Sequence, residues 1–309
     1  MTYRRNEYDV TDRVNTTDVQ QVYAEVSRIY QDLYQSDGSA VLKQAFGDFE
    51  RLYRGDEADY HACDTEYHDI QHVLDVTLAM ARMMDGTARA TNDTVMSERL
   101  FIFGIVNALF HDAGYIRHRK DTRHRRGAEY TRTHVSRGSR VLVDYFKRMG
   151  MADLAPAAAR VVHFTGYEMP IADIRVDPEF RLIGNLLGSA DLLAQMADRC
   201  YLEKCHDRLY PEFVHGGLAE QRMPDGRVQV VYGSAAELIY KTTQFSRAVA
   251  KRLDEDLGGQ HRNVERHFRG QHVYWEEVQK NVRHAEAIAA ERDLGLLRRQ
   301  PPVTLKREE

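Results

Sequence analysis

Apolar residues recur at spacings of three and four along almost the whole chain. Val19, Val22, Tyr23, Val26, Ile29, Tyr30 and Leu33 set the type, the period that places apolar side chains on one face of an α-helix. The same pattern predicts helices over residues 40–53, 70–84, 95–113, 127–149, 152–163, 179–196 and 199–210, then 234–257 and a long last one over 262–292. Pro170 and Pro178 bracket a loop, while Gly258-Gly259 and Gly295 mark helix ends. Alternation at period two is confined to RVQVVY at 227–232, behind the turn signal Pro224-Asp225-Gly226; it reads as a short hairpin arm or an extended loop. The chain is therefore expected to be all-α. No repeat, linker or shift in composition divides it, so residues 16–298 are expected to form one compact multi-helix domain. The charged, aperiodic ends, 1–15 and 299–309, are expected to be loose.

Composition narrows the class. A chain of 309 residues can bury a core without staples. Cys63, Cys200 and Cys205 have neither zinc-knuckle nor redox CxxC spacing, which fits a reducing, cytoplasmic compartment. The opening MTYRRNEYDV has no apolar stretch behind it, so neither a secretory signal nor an anchor is expected. The longest apolar run, near 101–110, falls well short of the roughly 20 residues a membrane-spanning helix needs. A net charge of -4 and a pI near 6.4 argue against a protein that coats nucleic acid. The local exception is RHRKDTRHRR at 117–126, with five Arg, one Lys and two His. It is either a solvated loop or one that meets an anionic substrate, with Arg117 and Lys120 as candidate contacts.

Chemistry enters with polar residues in apolar helical stretches. His72, the pair His111-Asp112, and Asp191 each stand in such a stretch, where a side chain of this kind needs a proton, a partner or a metal. Imidazole with carboxylate suits Zn, Fe or Mn. Taken alone, each has a plain explanation as a satisfied core residue, and an Arg or a helix N-terminus would also serve Asp191. His68 and His72 stand four apart and would share a helix face, so one could bind metal while the other faces substrate. Asp75 could accept from a ligand imidazole's second nitrogen. Adjacent His111 and Asp112 have fixed spacing, and an aspartate can bridge two ions. His134 and His163 could support a second metal or a phosphate, and Glu129 could hold a metal-bound water.

The stretch YHxxxHxxDV at 67–76, FHD at 110–112, Glu129, His134, ADL at 190–192 and the charged, aromatic segment 198–213 occur in an order that resembles a known pattern. It is that of the HD superfamily of metal-dependent phosphohydrolases, and within it the cyclic-nucleotide phosphodiesterase catalytic domain. The resemblance implies an all-helical fold and two divalent metal ions, with Zn or Fe at the tighter site and Mg or Mn at the looser one. It implies that His72, His111, Asp112 and Asp191 bind the first metal and that Asp112 bridges to the second. His68 would act as general acid while a metal-bridging hydroxide attacks phosphorus. The implied substrate is a small phosphate ester, a cyclic nucleotide or related signalling nucleotide, with Tyr67 among its candidate contacts.

Three positions depart from that pattern. Tyr115 stands where the phosphodiesterases usually have a histidine, Asp69 where they usually have Asn, and Gln244-Phe245 is the candidate for their base-reading glutamine and aromatic clamp, with different local spacing. Two alternatives stay open. One is an HD-type hydrolase of nucleotide phosphomonoesters or triphosphates, for which the loop at 117–126 would supply phosphate contacts. The other is a non-catalytic helical sensor, for which the stripe Val264, Phe268, Trp275, Val278 and Val282 would be a homodimer seam rather than a face packed on its own core.

Overall fold

The computed structural model describes residues 4–90, 96–223 and 226–304. Its helices are α1 (Val19–Tyr34), α2 (Ala40–Arg54), α3 (Ile70–Ala90), α4 (Glu98–Phe110), α5 (His134–Arg148), α6 (Ala155–Val161), α7 (Pro178–Ala197), α8 (Tyr201–Lys204), α9 (Tyr210–His215), α10 (Ala235–Tyr240), α11 (Thr242–Lys251), α12 (Val264–His267) and α13 (Val273–Glu291). Strands β1 (Glu220–Arg222) and β2 (Val228–Val230) pair antiparallel as one small hairpin. The chain is all-α, as the apolar period predicts. The start of the predicted helix at Val95 and the turn residues Pro224 and Asp225 lie outside the described residues. No helix among the described residues is long and apolar enough to cross a membrane.

Helix α3 is central because it is apolar nearly all round. From Ile70 to Ala88 every side chain but Asp75 is buried, the pattern of a helix with neighbours on every side. It packs against α1, α4, α7 and α12. Asp69 caps its start, Oδ1 accepting the His72 N–H at 3.0 Å. Gly86, near its other end, lets α12 approach: a Cβ there would lie 1.8 Å from the Asn263 carbonyl oxygen. Helix α4 is capped by Ser97, whose hydroxyl accepts from Leu100 N–H, and is buried from Leu100 to Phe110 except at Ile102. Apolar side chains from Val14 to Ile288 form one continuous core.

The structure differs from the periodicity in three places. The stretch 127–149 is broken: residues Gly127–Tyr130 form a 3₁₀ turn, and α5 starts only at His134. The expected last helix breaks after α12, where Arg269 (φ 56°) and Gly270 (φ 97°) reverse the chain before α13. Its apolar stripe faces inward, Val264 and Val278 being buried and Phe268, Trp275 and Val282 packed on the core. The described parts of the ends, 4–15 and 299–304, are docked rather than loose. Asp9 is buried and meets Arg82 Nη2 at 2.5 Å, Asn6 Nδ2 donates to Gln300 O at 3.0 Å, and Arg208 Nη2 donates to Pro302 O at 2.6 Å. Polar contacts, with Val10 and Val14 packed on the core, hold these segments, and they are too short for apolar periodicity to mark them.

Candidate metal centre

Three helices converge on one point. His72 comes from the first turn of α3, His111 and Asp112 follow the last residue of α4, and Asp191 comes from the middle of α7. His72 Nε2 lies 3.3 Å from Asp112 Oδ2 and 3.4 Å from Asp191 Oδ1; His111 Nε2 lies 3.3 Å from Asp112 Oδ2 and 3.9 Å from Asp191 Oδ1. Ligand atoms about 2.1 Å from a shared ion stand roughly 3.0–4.2 Å from one another. His72, His111 and Asp191 thus form a group that could hold a metal ion.

The donors fit a cation on independent grounds. His111 Nδ1 meets Ala108 O at 2.7 Å, so the ring donates there and Nε2 keeps its lone pair. His111 Nε2 and Asp112 Oδ2 are both buried without a hydrogen bond, a costly state for polar atoms that a metal relieves. The carboxylates draw positive charge to this point, which a proton on His72 can supply and which a bound ion would take over by displacing that proton. Burial opposes a charged His72, but Asp112 and Asp191 outweigh it and push its pKa up to about 10. The Asp112 carboxyl is held well below the usual range: burial works against this, and His111 and His72 overcome it.

One further donor faces the other oxygen of Asp112. His134 Nε2 lies 3.7 Å from Asp112 Oδ1, and its Nδ1 meets Thr131 O at 2.8 Å, which again leaves Nε2 as the acceptor. Burial lowers the His134 pKa, favouring the neutral, ligating form.

His68 stands beside this set. Its ring is 5.6 Å from that of His72 and 6.2 Å from that of His134. His68 Nδ1 is 2.6 Å from Glu212 Oε2, and the other oxygen of Glu212 accepts the Tyr67 N–H at 2.6 Å. A buried carboxylate thereby fixes the imidazole's orientation. Tyr115 stacks on both outer imidazoles, at 4.5 Å on His68 and 4.4 Å on His134. Exposure rises toward this side: His111 is fully buried, whereas the side chains of Asp191, His68 and His134 are 14%, 16% and 18% exposed.

Other candidates fall elsewhere. Asp75 belongs to a separate polar cluster with Asp198 and Lys204 around a cavity of about 10 Å³ that touches His72, and no described hydrogen bond ties it to a ligand. Burial, then the Asp198 charge, pushes its pKa up to about 7. Glu129 Oε1 accepts the N–H groups of Arg125 and Arg126, so this carboxylate closes the basic loop, with no described contact to the candidate ligands. His163, beyond α6, has a buried, unpartnered Nδ1 but no described contact with the ligand set. Tyr67 is buried as a wall, its hydroxyl donating to Gln195 Oε1 at 3.1 Å. Arg117 pairs with Asp64 at 2.9 Å, Lys120 is exposed, and Gln244 and Phe245 lie exposed on α11 without a described contact to the centre. The sequence reading missed Glu212. The signal available was an acid set between aromatic neighbours, Tyr210-Pro211-Glu212-Phe213.

Comparison with models of protein families, with curated proteins and with solved structures gives no match.

Proposed function

We propose that this chain is a metal-dependent phosphohydrolase of HD-superfamily type that hydrolyses a small phosphodiester, a cyclic nucleotide or related signalling nucleotide. The observation that carries the reading is the pairing of two elements: a buried set of two imidazoles and two carboxylates with unpartnered donor atoms, and an adjacent imidazole held by a carboxylate but outside the ligand set. A divalent ion bound there supplies positive charge for phosphoryl oxygens and makes water a better nucleophile. His72, His111, Asp112 and Asp191 would hold it, with Asp112 Oδ1 and His134 offering donors to a second.

His68 has the role of proton donor. With both ring nitrogens protonated, His68 would donate Nδ1–H to Glu212 and deliver its Nε2 proton to the departing ester oxygen as the P–O bond breaks, while water adds to phosphorus and gives up a proton to solvent. Tyr115 fixes the plane of the His68 ring by stacking. The test is metal analysis of the purified chain with a screen of cyclic mononucleotides, cyclic dinucleotides and nucleoside phosphates. A linear monophosphate product supports the reading. Release of free phosphate or pyrophosphate replaces it with a nucleotide phosphohydrolase, and a metal-loaded chain inert across the panel replaces it with a ligand sensor.

A further inference from the structure

At the far end of α3 lies an open cleft with a volume of about 710 Å³, lined by six arginines: Arg13, Arg28, Arg82, Arg89, Arg266 and Arg269. We propose that it is a binding site for a small polyanion with two or more linked phosphates. Its volume falls in the range of small-molecule sites, roughly 300–1,000 Å³. Guanidinium forks match phosphate oxygens two at a time.

The arginines come from four separate parts of the chain: the N-terminal segment, α1, α3, and the α12 helix with the turn that follows it. Three have their charge met, Arg28 by Glu25 and Asp32, Arg89 by Asp85, and Arg82 by Asp9. Arg13, Arg266 and Arg269 are exposed and form no ion pair among the described residues. Only two carboxylates, Glu25 and Asp32, share the lining, and both are committed to Arg28.

Two further observations favour a ligand over a solvated basic surface. Arg82 is 2% exposed, and with its terminal nitrogens held by Tyr274 and Asp9 its Nε remains a buried donor without an acceptor. Arg269 stands in the left-handed region at φ 56° directly before Gly270. A non-glycine residue is costly there, and such strain persists where the surroundings require it, often at binding sites. The site is distinct from the metal centre: Arg82 and Arg89 lie ten and seventeen residues beyond His72 on one helix, about 15–25 Å along its axis.

The test is calorimetric titration of the full chain with inorganic tripolyphosphate. We expect one saturable site that is kept in His72→Ala, weakened by added salt, and weakened at least about tenfold in Arg13→Ala/Arg266→Ala without a change in Tm. Arg269→Gly keeps the turn and removes the charge, so it should raise Tm while lowering affinity. Preference for a nucleoside triphosphate over tripolyphosphate assigns the ligand to nucleotides, and the reverse order assigns it to inorganic polyphosphate. No binding, unchanged binding in the double variant, loss of binding in His72→Ala, or loss in Arg119→Ala/Lys120→Ala of the basic loop would each overturn the proposal.

Discussion

Gly114 gives the sharpest test of how the centre is built. It stands two residues after Asp112, in the turn Ala113–Tyr115, and lies against the start of α5. A Cβ there would be 1.8 Å from the His134 carbonyl oxygen and 2.7 Å from Gly138 N. Both are backbone atoms, so no rotamer change makes room. Restoring a carbon–oxygen contact of about 3.3 Å requires a shift of roughly 1.5 Å between the turn and α5. Overpacking of this kind costs about 1–3 kcal/mol, or roughly 1.5–5 °C in Tm for a chain of this size. The same shift pulls Asp112 from His134, now 3.7 Å apart, and a displacement of that order costs roughly 100-fold where geometry matters. Gly86→Ala is the control. Its Cβ would meet backbone equally closely, 1.8 Å from Asn263 O, but at the opposite end of α3. The assay is Tm with bound metal per chain after dialysis against limiting chelator: both variants should lose Tm, and only Gly114→Ala should lose metal. A wild-type Tm for Gly114→Ala would refute the packing argument, and equal metal loss in both would refute its local reach.

Four more outcomes follow from the geometry. Asp112→Ala should empty the centre, and metal retained in that variant would remove Asp112 from the ligand set. His68→Ala should keep metal and slow turnover by roughly 10²–10⁴-fold, measured by steady-state kinetics on whichever ester the screen identifies. Glu212→Ala should keep metal and lower kcat by about 10–100-fold, because His68 loses the group that orients it; unchanged kcat would make Glu212 a purely structural residue. The Asp9–Arg82 pair sets an acid limb of stability. Burial alone would raise the Asp9 pKa, but Arg82 and the N–H groups of Val14 and Arg13 overcome it and lower it. A depressed folded-state pKa means that the stabilisation is present above the unfolded value, near 3.8, and is lost as pH falls through the folded value. Asp9→Asn should therefore be less stable at neutral pH, with a flatter loss of stability between about pH 5 and pH 2; a parallel curve would contradict the linkage.

The helices carrying the centre were legible because apolar spacing is a local signal, strong over α3, α4 and α7. The four candidate ligands were legible as polar anomalies on those faces. Glu212 was not, since its partner His68 lies 144 residues away in sequence and only the packing of α9 brings them together. Glu129 misled because a carboxylate near ligands can equally cap a loop, and its nearest N–H donors are its own neighbours. The break at Arg269-Gly270 was hidden by apolar residues that keep helical spacing across it, and a left-handed arginine leaves no mark in a hydrophobic pattern.

Tyr115 carries a consequence for ion supply. A ring stacked on both His68 and His134 offers no nitrogen, and burial holds its phenol well above the usual pKa, with the Asp112 charge adding to the effect. On the proposed reading, an ion on the Asp112 Oδ1 and His134 side has few protein donors, so water must complete its coordination. Hard, readily exchanging cations such as Mg and Mn tolerate that arrangement. Occupancy there would then follow their free concentration around the protein, and turnover with it, while the ion between His72, His111 and Asp191 stays in place.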